Sequence, residues 1–506
     1  MIWGLLLIPT AGGIAAFMLR QNRLRRSVLL AAAVGHATLV ASIWAAWPVP
    51  PKPALDGWLG VDAFGLLFLT LCSLLFLAAS VYAVGYLDHE DRSHLHRDFE
   101  GGGLFTNEPG AVFTSCLLLF LAAMTLATMS QHLGLMWVAV EATTLFSAPL
   151  IYFHRHRRSL EAMWKYVLIC SVGIALAMLG NFALSAALQP GTGHGDSALV
   201  VDHLLASAEH LNPVWVKLAF VFFVVGYGTK MGLAPLHTWL PDAHSEAPSL
   251  VSALMSGALL NCAFLGVLRG HQVCLAAGQG SFSRELLVGF GLLSLVVAGV
   301  FIVGQTDFKR MLAYSSVEHM GILAVAVGLG AGYAAGLHAV NHSLTKGALF
   351  LTAGNLLAYY RTKTAPEIRG VLDRLPLTGL LWFAGILAIT GTPPFGVFLS
   401  EVAVLRAAVE QHRPWVAGAY LVLLAVIFLG MVAIVLPMVH GQPSAPPRAA
   451  SEGASPVAQL APSWLMKLPP ILLLVSVLVF GFYLPPQLGA MLREIGELLT
   501  AKGVGS

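Results

Sequence analysis

Six ionisable side chains of this 506-residue chain lie inside long apolar stretches or directly after one. They are Glu141, Lys230, His338, His342, Lys346 and Glu401. Stepwise proton transfer is the chemistry that suits such a set. A lysine in an apolar site releases its proton more readily, and a nearby carboxylate favours its retention. A histidine can accept a proton on one ring nitrogen and donate one from the other.

The spacing of three of these residues predicts a shared helix face, and their chemistry suggests an order for the relay. His338, His342 and Lys346 recur at i, i+4 and i+8, which places all three on one face of a helix. We expect Glu141 and Lys230 to form a pair, this helix face to follow, and Glu401 to end the series. A purely structural role is the alternative, but a charge near the bilayer centre is unfavourable by ~2.5–3.5 kcal/mol.

A second group of residues could take part in the relay or have a purely structural role: Lys165, Lys217, His244, Asn261, Glu318 and His319. Lys165 and Lys217 lie near the ends of their stretches, so we expect their amines to reach the membrane surface. A metal site at His338 and His342 would need a third ligand such as Glu318, and no sequence neighbour supplies one. We therefore expect no metal and no cofactor.

The loop of residues 88–100 is rich in carboxylates and histidines. His94 and His96, beside these carboxylates, could bind a cation. A solvated loop that contacts a partner subunit is the favoured interpretation.

The composition places this chemistry in a membrane. Apolar residues make up 57% of the chain and charged residues 10%, against roughly a quarter charged in a soluble domain. The net charge of +3 gives no indication of a nucleic-acid partner. The five cysteines form no CxxC pair, so a disulfide framework, an iron–sulfur site and a zinc site are not expected. The first apolar stretch precedes its arginines, which predicts a retained helix and not a signal peptide.

Fourteen apolar stretches predict an all-α polytopic membrane protein with about 14 transmembrane helices, because within lipid only a helix satisfies its own backbone. The stretches are 2–20, 27–47, 61–86, 111–130, 133–153, 160–187, 214–236, 249–269, 285–305, 309–330, 333–360, 376–400, 415–439 and 468–485. The seventh contains Pro235 and the twelfth contains Pro393 and Pro394, where we expect both helices to break. Breaks at matching places in two sets of five helices predict two inverted repeats.

These stretches define a single transmembrane domain over 1–506 with four parts. Helices 1–3 occupy 1–110, the first inverted repeat 111–270, the second inverted repeat 284–440, and helix 14 with the tail 465–506. The odd-numbered loops hold 17 Lys and Arg residues, whereas the even-numbered loops and the C-terminal tail hold 7. This asymmetry predicts cytoplasmic odd-numbered loops and both termini outside, in the cell inner membrane.

Residues 230–249, KMGLAPLHTWLPDAHSEAPS, form a specific motif. They resemble the antiporter-like membrane subunits shared by respiratory complex I, Mrp cation/proton antiporters and group 4 hydrogenases. Further matching stretches are 161–166, 308–316 and 338–350, and residues 315–321 look most like the hydrogenase-4 component F branch. The resemblance covers nearly all of the chain.

The resemblance implies roles for individual positions. It matches Glu141 and Lys230 to the family's glutamate–lysine pair in helices 5 and 7. It matches the His338, His342 and Lys346 face to the central relay of helix 11, and Glu401 to the terminal residue of helix 12. Where complex I subunits usually carry a lysine in helix 8, this chain has Asn261. Because Asn261 cannot hold a proton, we expect water to bridge Lys230 to Lys346.

The resemblance also implies a proton-translocating subunit of a larger energy-converting complex, hydrogenase- or complex I-like. The chain would be a non-catalytic subunit whose partners supply the redox energy. The alternatives are a proton channel that powers an inorganic carbon uptake partner, a stand-alone Na⁺/H⁺ antiporter, and a vestigial membrane anchor. The expected partners are other membrane and peripheral subunits, the lipid bilayer, and protons or Na⁺.

Overall fold

The computed structural model describes residues 1–90, 96–97, 104–188, 199–442 and 462–500. These residues form an all-α protein, as predicted. The helices before the first break are α1 (Ile2–Met18), α2 (Asn22–Ala46), α3 (Ala63–Glu90), α4 (Gly110–Met129), α5 (Leu133–Ile151), α6 (Arg157–Ala187), α7 (Val201–Ala206) and α8 (Pro213–Met231). The next are α9 (Trp239–Glu246), α10 (Ser249–Leu254), α11 (Leu260–Ala276), α12 (Gly280–Ile302), α13 (Phe308–Gly328), α14 (Gly332–Tyr360) and α15 (Val371–Arg374). The last are α16 (Pro376–Ile389), α17 (Gly396–Glu410), α18 (Pro414–His440), α19 (Trp464–Phe480) and α20 (Pro486–Leu498).

The remaining elements are short. Strands β1 (His96–Arg97) and β2 (Leu104–Phe105) pair antiparallel between α3 and α4. Single 3₁₀ turns lie at Ala208–His210 and Ala365–Glu367, and a π-helical turn, Met255–Leu259, joins α10 to α11. His94 lies outside the described residues, so the cation site considered for this loop stays a prediction.

Within the described residues, ten helices are long and apolar enough to cross a bilayer, with α10 and α11 counted as one. The shorter apolar helices are α1, α16 and α19. The fourteen predicted stretches all coincide with helices, although the exact number of spans and the division into inverted repeats stay predictions.

Helix α14 lies at the centre of the bundle. It packs against α3, α10, α13, α16, α17, α19 and α20, and its residues from Gly336 to Leu356 are all buried. By contrast, only a third of the most apolar stretch of α2 or α18 is buried. The predicted polar face of α14 therefore lies in the protein interior, away from lipid.

The two predicted breaks are present and share one local design. Each begins with a glycine of positive φ. Gly232 (φ 87°) directly follows α8, and Gly391 (φ 65°) lies two residues after the end of α16. Pro235 follows the first glycine, and Pro393 with Pro394 follows the second. A left-handed glycine ends a helix without steric strain, and proline prevents it from continuing. The chain then resumes as α9 and α17.

The eighth span is longer than its apolar stretch predicts. Helix α11 continues to Ala276. Arg269, which ends the predicted stretch 249–269 and is one of the 7 Lys and Arg residues counted with the even-numbered loops and tail, therefore lies inside a helix and is buried. Its guanidinium donates to both carboxylate oxygens of Asp62, at 2.7 and 2.8 Å. This bidentate pairing satisfies the charge, which is why the helix can extend past it.

Candidate functional site

The first cluster of ionisable residues lies between α5, α6 and α8. Lys230, on the last turn of α8, is fully buried. Its Nζ donates to the hydroxyls of Thr144, at 2.7 Å, and Tyr166, at 2.6 Å. The Tyr166 hydroxyl also shares a hydrogen bond with Ser147 Oγ, at 2.6 Å. Neutral hydroxyl groups thus form the immediate hydrogen-bonding environment of this amine.

Glu141 and Lys230 lie in the same cluster and are linked through Thr144. The Thr144 hydroxyl donates to Glu141 Oε2 over 3.3 Å and accepts from Lys230. Ser171 donates to Glu141 Oε1 over 2.7 Å. The carboxylate is close enough to interact electrostatically with Lys230, but the hydrogen-bonded contact between the two runs through a hydroxyl group.

The second cluster lies between α13, α14 and α17. His338, His342 and Lys346 all lie on α14, and all are fully buried. Lys346 Nζ donates to the backbone carbonyl of Leu312 on α13 over 2.8 Å, and Glu318 is its electrostatic partner. The helix face that the i, i+4, i+8 spacing predicts therefore meets α13 directly.

Glu318 and His319 belong to this cluster and connect its two ends. Ser315 donates to Glu318 Oε2 over 3.2 Å, and this oxygen lies 3.9 Å from His319 Nε2. His319 Nδ1 lies 2.9 Å from His338 Nε2, and the His319 and His342 rings are 5.0 Å apart. Four ionisable groups of α13 and α14 thus follow one another in the order Lys346, Glu318, His319 and His338.

The far end of the second cluster lies at the break between α16 and α17. His338 Nδ1 lies 2.9 Å from Ser400 Oγ, and Ser400 directly precedes Glu401. Glu401 is buried, and its Oε1 has no hydrogen-bond partner among the described residues. A Cβ on Gly391 would overlap Glu401 Oε2. The left-handed glycine of the break therefore leaves the space that this carboxylate occupies.

Two residues lie between the clusters. The Asn261 amide donates to Gly257 O over 2.8 Å and to Ser343 Oγ on α14 over 2.7 Å, so it joins α11 to α14. His244, on α9, stacks on Phe350 of α14 with ring centroids 5.0 Å apart. Its two ring nitrogens are fully buried and find no partner in the part of the chain that the structure describes.

Lys165 and Lys217 lie outside both clusters, at exposed positions. Lys165 forms ion pairs with Glu161 and with Asp242 of α9, at 2.7 and 3.0 Å. Lys217 lies 5.7 Å from the ring centre of Phe282. Each amine lies on the outside of the bundle, and the expected reach to the membrane surface stays a prediction.

Several residues of the site were not selected from the sequence. Tyr166, Thr144 and Ser400 each contact a member of the relay directly. Position alone could have suggested two of them, since Thr144 is one turn from Glu141 and Ser400 precedes Glu401. Nothing local marks Tyr166 as a partner of Lys230, which lies 64 residues away. No group of three or more His, Cys, Asp or Glu side chains is placed to hold a metal ion within the described residues.

Comparison with known proteins matches this chain to one family. The family described as NADH:quinone oxidoreductase/Mrp antiporter, TM, matches residues 130–428, more than half of the chain. A hydrogenase-4 component F homolog from Methylacidiphilum infernorum (isolate V4) is 34% identical over 443 residues, which cover 87% of this chain and 88% of that protein.

Two solved structures share the fold over nearly the whole length. One is a chain of the Mrp complex from Dietzia sp. DQ12-45-1b, with a TM-score of 0.82, 19% identity, and coverage of 100% of this chain and 99% of that one. The other belongs to the archaeal membrane-bound sulfane sulfur reductase, with a TM-score of 0.81, 20% identity and 99% coverage of both chains. Both neighbours are subunits of multi-subunit membrane complexes.

Proposed function

Because the chain belongs to the NADH:quinone oxidoreductase/Mrp antiporter family of membrane subunits, we propose that it moves protons across the membrane within a larger energy-converting complex. The chain is an antiporter-like subunit, related to hydrogenase-4 component F. The driving reaction takes place in partner subunits, and the chain converts the energy released into proton movement.

One observation carries the proposal: the second cluster is a buried series of proton-binding groups joined by electrostatic contacts and hydrogen bonds. It extends from Lys346 through Glu318, His319 and His338 to Ser400, next to Glu401. Charged groups in a membrane interior are unfavourable unless they have partners or carry out a function. Here the partners are other proton donors and acceptors, as stepwise transfer requires.

We place the chain in the cytoplasmic membrane with its odd-numbered loops in the cytoplasm. The support is the excess of Lys and Arg in these loops. Lys309, Lys363 and Arg310 lie at this face, which we call the basic face. We propose that protons are taken up at the basic face and released at the opposite face.

The test measures proton flux in liposomes that contain the complex purified with its partner subunits. A potassium diffusion potential drives the flux, and a pH-sensitive dye reports it. We expect Lys346→Ala to lower proton flux by about 10²-fold, because the central proton-binding group is lost. Lys217→Ala is the matched control, since Lys217 is a lysine on the outside of the same bundle. We expect that variant to retain its flux.

Two outcomes contradict the proposal. If Lys346→Ala assembles normally and conducts protons like the unaltered chain, the subunit serves as an anchor. If flux follows an imposed sodium gradient and the isolated chain suffices, it is a stand-alone Na⁺/H⁺ antiporter. Repeating the measurement with a sodium gradient, with and without partners, separates these cases.

A further inference from the structure

A cavity of about 120 Å³ lies at the basic face, and Glu246, Lys309 and Lys363 are among the side chains that line it. The ends of α3 and α14 line it, together with the segments between α5 and α6 and between α9 and α10. A water molecule needs roughly 10–15 Å³ of such space, so the cavity has room for several waters. Ser249 Oγ lines it and has no partner among the described residues. A buried hydroxyl in this situation is expected to bind water.

The cavity contains an acid–base group at its inner wall. Glu246, the last residue of α9, is buried, and its Oε1 lies 2.8 Å from Lys363 Nζ. Its Oε2 lies 3.6 Å from His156 Nε2. Lys309 Nζ, also in the wall, donates to the carbonyls of Ser245 and Ala247 over 3.2 and 2.5 Å. These contacts hold the end of α9 against the cavity.

His244 lies two residues before Glu246 on the same short helix. It is fully buried, it stacks on Phe350, and both of its ring nitrogens lack a partner among the described residues. Lys309 and Lys346 are the charged side chains that interact with it electrostatically. His244 therefore interacts with both a lysine of the cavity wall and the central lysine of the relay.

We propose that this cavity is a water-filled inlet that delivers protons from the basic face to Lys346 through Glu246 and His244. The route does not pass through Glu141 and Lys230. A hydronium ion in the cavity gives its proton to the Glu246 carboxylate, which passes it to one ring nitrogen of His244. The other nitrogen then releases a proton to the Lys346 amine. Only O–H and N–H bonds form and break, and the number of protons is conserved.

The inlet rests on the proposed function. It removes the need for the water bridge from Lys230 to Lys346 that we expected from the sequence. Asn261 interrupts a path from Lys230 to Lys346, because an amide cannot hold a proton. If His244 supplies Lys346 directly, the second cluster needs no such path. The two clusters would then take up protons independently, each from the basic face.

The decisive experiment measures proton flux in the reconstituted complex carrying Lys230→Ala, with and without His244→Phe. Phenylalanine keeps the ring stacking on Phe350 and removes both nitrogens. We expect Lys230→Ala to retain more than about a tenth of the flux and the double variant to lose at least tenfold more. His36→Phe in the same background is the control: His36 is a fully buried histidine that bonds Ser73 and Thr125, away from the cavity. We expect it to leave the residual flux unchanged.

Two results would overturn the inlet while leaving the proposed function intact. The first is that Lys230→Ala conducts no better than Lys346→Ala. The second is that His244→Phe has no effect in the Lys230→Ala background. If Lys346→Ala also conducts normally, the proposed function fails instead, so the two failures are distinguishable.

A second measurement tests access of water to the cavity without relying on proton flux. Silver ions travel through water and react with thiols, and Ser249→Cys places a thiol in the cavity wall. We expect silver added at the basic face to react with this variant at least tenfold faster than with Ser252→Cys, three residues further on and outside the cavity. The unaltered chain gives the background reaction of its five native cysteines. Equal rates for the two variants, or faster reaction from the opposite face, would contradict a water-filled inlet at this position.

Discussion

The Nδ1 atom of His319 lies 2.9 Å from the Nε2 atom of His338, and this contact joins α13 to α14 inside the bundle. One ring must donate and the other accept, so a proton that moves between them reverses both roles. The opposite nitrogen of His338 faces Ser400. The pair therefore connects the lysine end of the second cluster to its glutamate end.

Replacing His338 with glutamine tests this connection. An amide can keep hydrogen bonds to His319 and Ser400, but it cannot take up a proton. We expect His338→Gln to fold and assemble normally and to lower proton flux by about 10²-fold, measured in liposomes with a pH-sensitive dye. His271→Gln is the control, because His271 is a buried histidine bonded to Ser283, outside both clusters. Normal flux in His338→Gln would mean that the pair is structural.

The hydroxyl bridge in the first cluster makes Thr144 a testable residue. Thr144→Val keeps the shape and removes the group that joins Glu141 to Lys230. We expect its proton flux to fall to the level of Lys230→Ala, whereas Thr144→Ser keeps the hydroxyl and restores it. Thr143→Val is the matched control, since the neighbouring hydroxyl bonds, among the described residues, only to the carbonyl of Val140 on its own helix. If both valine variants behave alike, the loss comes from packing and the bridge has no role.

The glycine at the second break predicts a steric effect on Glu401. In Gly391→Ala the new methyl group would overlap the Glu401 carboxylate, so the side chain must move away from the relay. The left-handed backbone adds roughly 1–2 kcal/mol of strain. Gly304→Ala carries the same strain, at φ 78°, with no atom within 4 Å of the added carbon. We expect comparable thermal stability in the two variants and at least tenfold lower flux in Gly391→Ala alone. Equal flux in both would show that the Glu401 position is not critical.

Asn261 is predicted to act as a structural link. Asn261→Ala removes its hydrogen bonds to Gly257 O and Ser343 Oγ, and each buried bond contributes about 1 kcal/mol. We expect the free energy of unfolding of the complex to fall by about 1–2 kcal/mol, visible as a lower midpoint in thermal denaturation. Proton flux should stay within about twofold, because the inlet through His244 does not use this amide. A stable variant that no longer conducts would instead place Asn261 on the proton path.

Sequence reasoning predicted the elements better than the contacts between them. The fourteen apolar stretches coincide with helices, because within lipid an α-helix satisfies its own backbone hydrogen bonds. The prolines indicated where two of these helices break. The i, i+4, i+8 spacing placed His338, His342 and Lys346 on one helix face because helical geometry is local. The family resemblance drawn from residues 230–249 is confirmed by the matched family and relatives.

Contacts between helices distant in sequence could not be predicted in the same way. The partners of Lys230 come from α5 and α6, and no periodicity in α8 indicates which side chains these helices present. Arg269 was assigned to a loop because a charge normally ends an apolar stretch. Its partner Asp62 is 207 residues away, and only folding brings the two together. Nothing in the sequence indicates that both ring nitrogens of His244 lie buried without a partner among the described residues.

The π-helical turn Met255–Leu259 lies between α10 and α11 and rotates the side chains of α11 about the helix axis relative to those of α10. Such a turn accommodates one residue more than an α-helical turn, and each residue of an α-helix advances the side-chain direction by about 100°. Asn261 faces Ser343, and Arg269 faces Asp62, only because that additional residue comes before them. Deleting it would give a more regular helix and rotate both side chains away from their partners by about 100°. The one additional residue of this turn thus decides which side of the helix meets Asp62 and α14.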